Sequence, residues 1–135
     1  MTQTAGVWKL TSSENFDELM KALGVGLITR KIGNAQKPTV TIKATGDDWE
    51  ITTESTLKTN KMNFKLGVEQ DQETLDGRKV RSTFALDGDK LIQTDRDAKE
   101  DKVVCVITRE INSKGELLTT AVAGDIVATR LYVKQ

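Results

Sequence analysis

Residues 79–88 read Lys-Val-Arg-Ser-Thr-Phe-Ala-Leu-Asp-Gly, a run of strand chemistry closed by Asp87-Gly88. Asp-Gly is a strong hairpin signal because the turn needs positive φ, which Gly adopts without steric cost. Turn signals of this kind recur on both sides. Gly46-Asp47-Asp48, Gly67, Asp76-Gly77, Lys114-Gly115 and Gly124-Asp125 punctuate the chain, and the polar stretch Asp95–Lys102 reads as a further, solvated turn. After Gly67 their spacing is close to the roughly 8–12 residues of an antiparallel meander. Between them lie segments rich in Thr, Val, Ile and Leu: Thr39–Ala44, Trp49–Thr53, Lys79–Leu86, Val103–Ile111, Leu117–Val122 and Ile126–Val133.

One section departs from this pattern. Phe16, Leu19, Met20 and Leu23 stand at i, i+3, i+4 and i+7, a helical stripe, and Asn15 with Glu18 resembles a capping box at its start. Gly24 and Gly26 interrupt it, and a second helical run (Leu27, Ile28, Ile32) continues until Gly33 and Pro38 stop it. The outline is one strand, two short helices near residues 15–36, then about nine strands. So many strands must manage their edges, and closure into a barrel does so. A barrel of about ten strands is wider than side chains alone fill, so a ligand cavity is expected inside. Six aromatics in 135 residues are few for such an interior. With no linker or repeat, residues 1–135 read as one domain.

Composition narrows the chemistry. The chain has no His, one Cys (Cys105), and 20 Lys+Arg against 20 Asp+Glu. Ser-His-Asp and Cys-His catalysis and His-containing zinc sites are therefore excluded. A lone cysteine makes no internal disulfide, which fits a reducing compartment. Balanced charge argues against a nucleic-acid binder. The longest apolar run, Val103–Ile107, is far short of the roughly 20 residues of a spanning helix, and the N-terminus has no export signal, so a cytoplasmic protein is expected.

Several local patterns carry weak chemical readings. Gly24-Val25-Gly26-Leu27-Ile28-Thr29 lacks a preceding strand and a third glycine, so it reads as a helix-to-helix turn rather than a nucleotide loop. Residues 95–101 lack the glycine and glutamate of a calcium loop, and no metal site is expected. Asp47-Asp48, Asp87 and Asp89 fall in turns, and Cys105 reads as a small buried hydrophobe. Arg130 and Tyr132, two residues apart on a strand, point to the same side. Facing inward with Arg109, they would form a carboxylate receptor; facing solvent, which composition alone favours because Arg is rarely buried, they would do nothing. From Leu19 to Gly46 there are five cations (Lys21, Arg30, Lys31, Lys37, Lys43) and no acid. A local positive field there suits an anionic membrane or an acidic partner, or else is only a solvated helix face.

These pieces resemble one family. Gly6-Val7-Trp8-Lys9-Leu10 with Ser13-Glu14-Asn15-Phe16-Asp17 resembles the opening signature of the intracellular lipid-binding proteins, which include the fatty-acid-binding and cellular retinoid-binding proteins. Leu23-Gly24-Val25-Gly26, Thr29-Arg30-Lys31, Lys37-Pro38, Glu54-Ser55-Thr56, Phe64-Lys65-Leu66-Gly67, Asp76-Gly77-Arg78 and Thr129-Arg130-Leu131-Tyr132 continue the likeness over essentially the whole chain. The resemblance implies an all-β, ten-stranded antiparallel up-and-down barrel (a β-clam) with a helix-turn-helix lid and an internal cavity. It implies a ligand carboxylate held by Arg109, Arg130 and Tyr132. It also implies cavity positions at Phe16, Met20, Leu23, Val25, Pro38, Thr53, Ser55, Leu57, Asp76 and Arg78. Two arginines, rather than the glutamines of retinol carriers, point to an acid.

Long-chain fatty acid is the favoured cargo and retinoic acid the alternative. Residues 107–118 look like the retinoic-acid branch, whereas Gly24-Val25-Gly26 and Glu54–Thr59 look like the fatty-acid branch. A lipid-modifying enzyme in the same cavity would lack a general base, so no enzymatic activity and no cofactor is expected. A monomer is expected, touching anionic membranes through Lys21, Arg30 and Lys31, cations that also match a nuclear-import cluster of some members. Three departures stand out. Glu69-Gln70-Asp71-Gln72 replaces the usual Glu-Phe-Asp-Glu, which implies a roomier or wetter cavity floor. An acidic stretch at residues 95–102 replaces a Trp-Asp-Gly turn. Leu57 stands where many members carry a portal aromatic.

Overall fold

The computed structural model describes residues 4–74 and 77–135. Strand β1 (Gly6–Glu14) leads into helices α1 (Phe16–Ala22) and α2 (Leu27–Ala35). Strands β2 (Thr39–Thr45), β3 (Asp48–Glu54), β4 (Thr59–Lys65), β5 (Gln70–Glu73) and β6 (Lys79–Asp87) follow. Strands β7 (Lys90–Asp97), β8 (Val103–Ile111), β9 (Leu117–Ala123) and β10 (Ile126–Lys134) complete the chain. All ten lie in one sheet, ordered β4-β3-β2-β1-β10-β9-β8-β7-β6-β5. Every strand pairing is antiparallel. Because β1 pairs with both β2 and β10, the two ends of the chain join and the sheet curls into a barrel. Only β4 and β5 are left facing each other across a seam. Asp87 pairs with Lys90 around the loop Gly88-Asp89, so the positive φ (61 at Gly88) falls on the first loop residue, where glycine supplies it without strain.

Alternation along each strand sends one set of side chains inward. Trp8, Ile42, Ile51, Phe84, Leu91 and Leu117 are each at most 2% exposed and pack in one core cluster. At its floor Phe64 stacks on Phe84 at 3.5 Å between ring centroids and on Trp49 at 6.0 Å. Half of the chain's few aromatics thus pack together at one end of the barrel. Gln70 stands at the expected phenylalanine position. It is half-buried, and its Nε2 donates to the carbonyl of Asn63. The amide therefore bridges the β4–β5 seam, and the aromatic stack packs the floor that the sequence left in doubt.

A second cluster lies under the lid, where Leu19 packs with Cys105, Ala121, Ala123 and Ala128. The capping box expected at Asn15 and Glu18 does not form. Asn15 is left-handed (φ 64, ψ 17) with no side-chain cap bond, and its Nδ2 instead donates to the carbonyl of Val127 at 3.0 Å. Asn tolerates this backbone conformation better than most residues, so the lid is tied to β10 rather than capped. The second helical run forms α2 as expected, with its apolar residues facing outward. Leu27, Ile28 and Ile32 are all exposed, Ile28 at 77%, and α2 buries no residue. Polar bonds and one close packing contact hold α2 in place. Arg30 Nε donates to Asp17 Oδ1 (3.2 Å), Arg30 Nη1 to the Val25 carbonyl (2.7 Å), and Asn34 Nδ2 to Asp17 Oδ1 (2.9 Å). Gly33 lets the helices approach, since a Cβ there would lie 3.1 Å from Met20 Sδ.

The acidic turn read from residues 95–102 is shorter than expected. Asp95 and Asp97 belong to β7, and Asp95 is 4% exposed inside the barrel rather than solvated. Asp97 Oδ1 accepts the backbone N–H groups of Lys99 and Glu100, both at 2.8 Å, and these bonds hold its carboxyl below the usual range. Of the Asp residues of this stretch, Asp97 therefore shapes the turn and Asp95 faces the barrel interior.

Candidate functional site

The register of three adjacent strands sets the site. Arg109 on β8 pairs with Thr119 on β9, and Thr119 pairs with Arg130 on β10. Two strand spacings put the arginine backbones about 10 Å apart, close enough for two long side chains to converge on one small anion. Tyr132, 5% exposed, follows Arg130 on the same face. The solvent-facing reading of these residues thus fails. Burial pulls the guanidinium pKa of both arginines below the ordinary value, and their nearness to Tyr132 acts in the opposite direction. Arg130 lies over the Phe16 ring, 4.0 Å from its centroid. Its buried Nε finds no hydrogen-bond partner among the described residues. A cleft of about 390 Å³ between β1, α1 and the end of α2 reaches Arg130.

Arg109 has a different environment. Its Nη1 donates to Gln93 Oε1 at 2.8 Å. Gln93 Nε2 in turn donates to both oxygens of Asp95, at 2.9 and 3.1 Å, and Ser82 Oγ donates to Asp95 Oδ1 at 2.6 Å. Ser82, Gln93 and Asp95 are all buried, each no more than 4% exposed. A polar lane therefore runs up the inner faces of β6 and β7 from Arg109. Cys105, paired in register with Asp95, has its thiol pKa pushed up to about 11 by burial and, secondarily, by that carboxylate.

The other expected cavity residues divide into three groups. Met20, Val25 and Pro38 are buried, and Phe16, Leu23, Thr53 and Arg78 are half-buried. Ser55 is half-buried, but its hydroxyl bonds to the Lys58 carbonyl (3.1 Å) in the β3–β4 turn, beside a second cleft of about 460 Å³. Leu57 is 67% exposed and does not point into the barrel. Asp76 lies outside the described residues. Of the three lid cations, Arg30 is bound to Asp17, so Lys21 and Lys31 are the exposed pair. Among the described residues no cluster of His, Cys, Asp and Glu suits a metal ion, and no helix is long and apolar enough to cross a membrane.

A barrel closed by its first and last strands, with a two-helix lid over an interior holding two arginines and a tyrosine, has close counterparts. Residues 5–135 match the model of the lipocalin / cytosolic fatty-acid binding protein family. The chain belongs to that family. Within the cytosolic fatty-acid-binding proteins and their relatives, it is 42% identical over 128 residues to sodium/calcium exchanger regulatory protein 1 of Doryteuthis pealeii, covering 95% of this chain and 93% of the relative. A Schistosoma mansoni fatty acid binding protein, solved in complex with arachidonic acid, superposes with a TM-score of 0.92. It is 41% identical and covers 100% of this chain and 98% of that one. The fatty acid-binding protein from brain tissue of Drosophila melanogaster is 51% identical at a TM-score of 0.83, with 96% of each chain covered.

What sequence reasoning missed in this family member is the lane of Ser82, Gln93 and Asp95. The signal was present as alternation in β7, where Leu91, Gln93 and Asp95 share a face, but assigning Asp95 to a turn hid it.

Proposed function

We propose that the protein is a cytoplasmic carrier of a long-chain fatty acid, with the carboxylate held between Arg109, Arg130 and Tyr132. The observation that carries this reading is the pair of inward arginines flanking Thr119, one of which, Arg130, has a buried Nε without a partner. Taking a carboxylate out of water is tolerable only with charge-assisted hydrogen bonds, and guanidinium forks supply them. Each buried methylene contributes roughly 0.8 kcal/mol, so a long acyl chain brings a large driving force. The fatty-acid ligand of the Schistosoma relative supports the same cargo class.

No chemistry on the cargo follows from the groups present. The chain has no His, and burial keeps the Cys105 thiol protonated near neutral pH. Loading and release involve the lid. The exposed apolar residues Leu27, Ile28 and Ile32 of α2, with Lys21 and Lys31 nearby, suit brief docking on an anionic membrane. The deciding experiment is native mass spectrometry of delipidated protein re-exposed to a cell lipid extract. A bound long-chain fatty acid supports the reading, retained retinoic acid would replace the cargo, and an empty barrel would refute the carrier role.

A further inference from the structure

A fatty-acid clamp gives Asp95 no role, yet this carboxylate is among the most deeply placed polar groups of the barrel. Among the described residues its hydrogen bonds come from neutral groups: Ser82 Oγ on Oδ1, and Gln93 Nε2 on both oxygens. Both ends of the Gln93 amide are engaged, since its Oε1 receives Arg109. The amide orientation is therefore fixed, and the Asp95 carboxylate is held in one direction. A carboxylate offers about four acceptor positions. Three bonds reach Asp95 among the described residues, two on Oδ1 and one on Oδ2, which leaves acceptor capacity on Oδ2.

Its place along the strand matters as much as its chemistry. Asp95 lies about 7 Å further along β7 than Gln93. The direction is toward the lid, because its register partner Cys105 packs with Leu19 of α1. A ligand with its carboxylate at Arg109 and its chain directed toward the lid passes Asp95. Plain methylenes there would leave the spare acceptor position of Oδ2 unfilled, whereas a hydroxyl would donate to it. We infer that Asp95, oriented by Ser82 and Gln93, is a second polar subsite that binds a hydroxyl on the ligand's hydrocarbon chain, so that the preferred cargo is a hydroxylated long-chain fatty acid. This rests on the fatty-acid reading above and adds a specificity-determining residue to it.

The test is a displacement titration of the delipidated full chain with stearate and with positional isomers of monohydroxystearate. In the natural protein at least one isomer binds as tightly as stearate or tighter, despite its added polar group. Asp95→Leu weakens that isomer about tenfold more than it weakens stearate, the ratio expected for loss of a hydrogen bond to a carboxylate, whatever both ligands lose through the Gln93–Arg109 contact. Asp95→Asn, isosteric and uncharged, shifts the same ratio severalfold and carries the test if the leucine variant does not fold. An isomer series indifferent to both substitutions, or uniformly weaker than stearate in the natural protein, overturns the subsite and leaves the carrier reading standing. Failure of stearate itself to bind removes both.

Discussion

Replacing Arg130 with Gln should move affinity and stability in opposite directions. Arg130 has a buried guanidinium whose Nε has no partner among the described residues, and its main compensation is the Phe16 ring 4.0 Å away. A desolvated cation–π contact contributes about 1–2 kcal/mol, whereas burying an ion costs several kcal/mol. The ligand-free variant should therefore gain about 1 kcal/mol or more of stability. For a domain of 135 residues that is a rise in Tm of about 3–4 °C. Fatty-acid binding, in contrast, loses a charge-assisted bond of about 1.5–3 kcal/mol, which weakens Kd about ten- to hundredfold. Displacement of a fluorescent fatty acid gives the affinity, and calorimetry on delipidated protein gives the Tm. An unchanged Kd would remove Arg130 from the clamp. A fall in both quantities would mean that Arg130 serves the fold and that the affinity loss is secondary.

Further outcomes follow from other parts of the molecule. Asn15→Ala should destabilise the protein by about 1–2 kcal/mol, because Ala tolerates the left-handed backbone poorly and loses the bond to Val127, while Asn15→Gly should cost less. Urea midpoints of the two variants check the order, and equal values would refute it. Transfer of bound fatty acid to anionic vesicles should slow with added salt and slow in the variant with Lys21→Glu and Lys31→Glu; salt-independent transfer would rule out docking through the lid. Raising the Cys105 pKa from 9.0 to about 11 lowers the thiolate fraction about a hundredfold at neutral pH. Alkylation of the native protein should therefore be at least that much slower than of the unfolded chain and should accelerate toward pH 11, whereas rapid native labelling at neutral pH would contradict the burial described.

Strand number, barrel closure and the two-helix lid were legible because they rest on local signals. Glycines fix the turns, and Phe16, Leu19, Met20 and Leu23 mark the first helix. Where the reading failed, the deciding interactions were distant in sequence. Asn15 has the right residue type for a cap, but a carbonyl 112 residues away claims its side chain. Asp95 sits in a run of charges that looks solvated, and only pairing with β6 and β8 shows that it faces inward. Composition alone could not orient Arg109 and Arg130, since burial of a charge depends on what surrounds it. The lid's second helix was legible as a helix from Leu27, Ile28 and Ile32, but periodicity does not say whether another surface covers them, and all three are exposed.

The seam between β4 and β5 has a mechanical consequence. Elsewhere the circumference is set by ladders of backbone hydrogen bonds, but here the Gln70 amide reaches Asn63 across the opening, and the Phe64–Phe84 stack joins β4 to β6. Side-chain contacts can stretch or shift without breaking a ladder. The backbone register that sets Arg109, Thr119 and Arg130 therefore lies on the arc farthest from the seam, where neighbouring strands are joined by unbroken ladders.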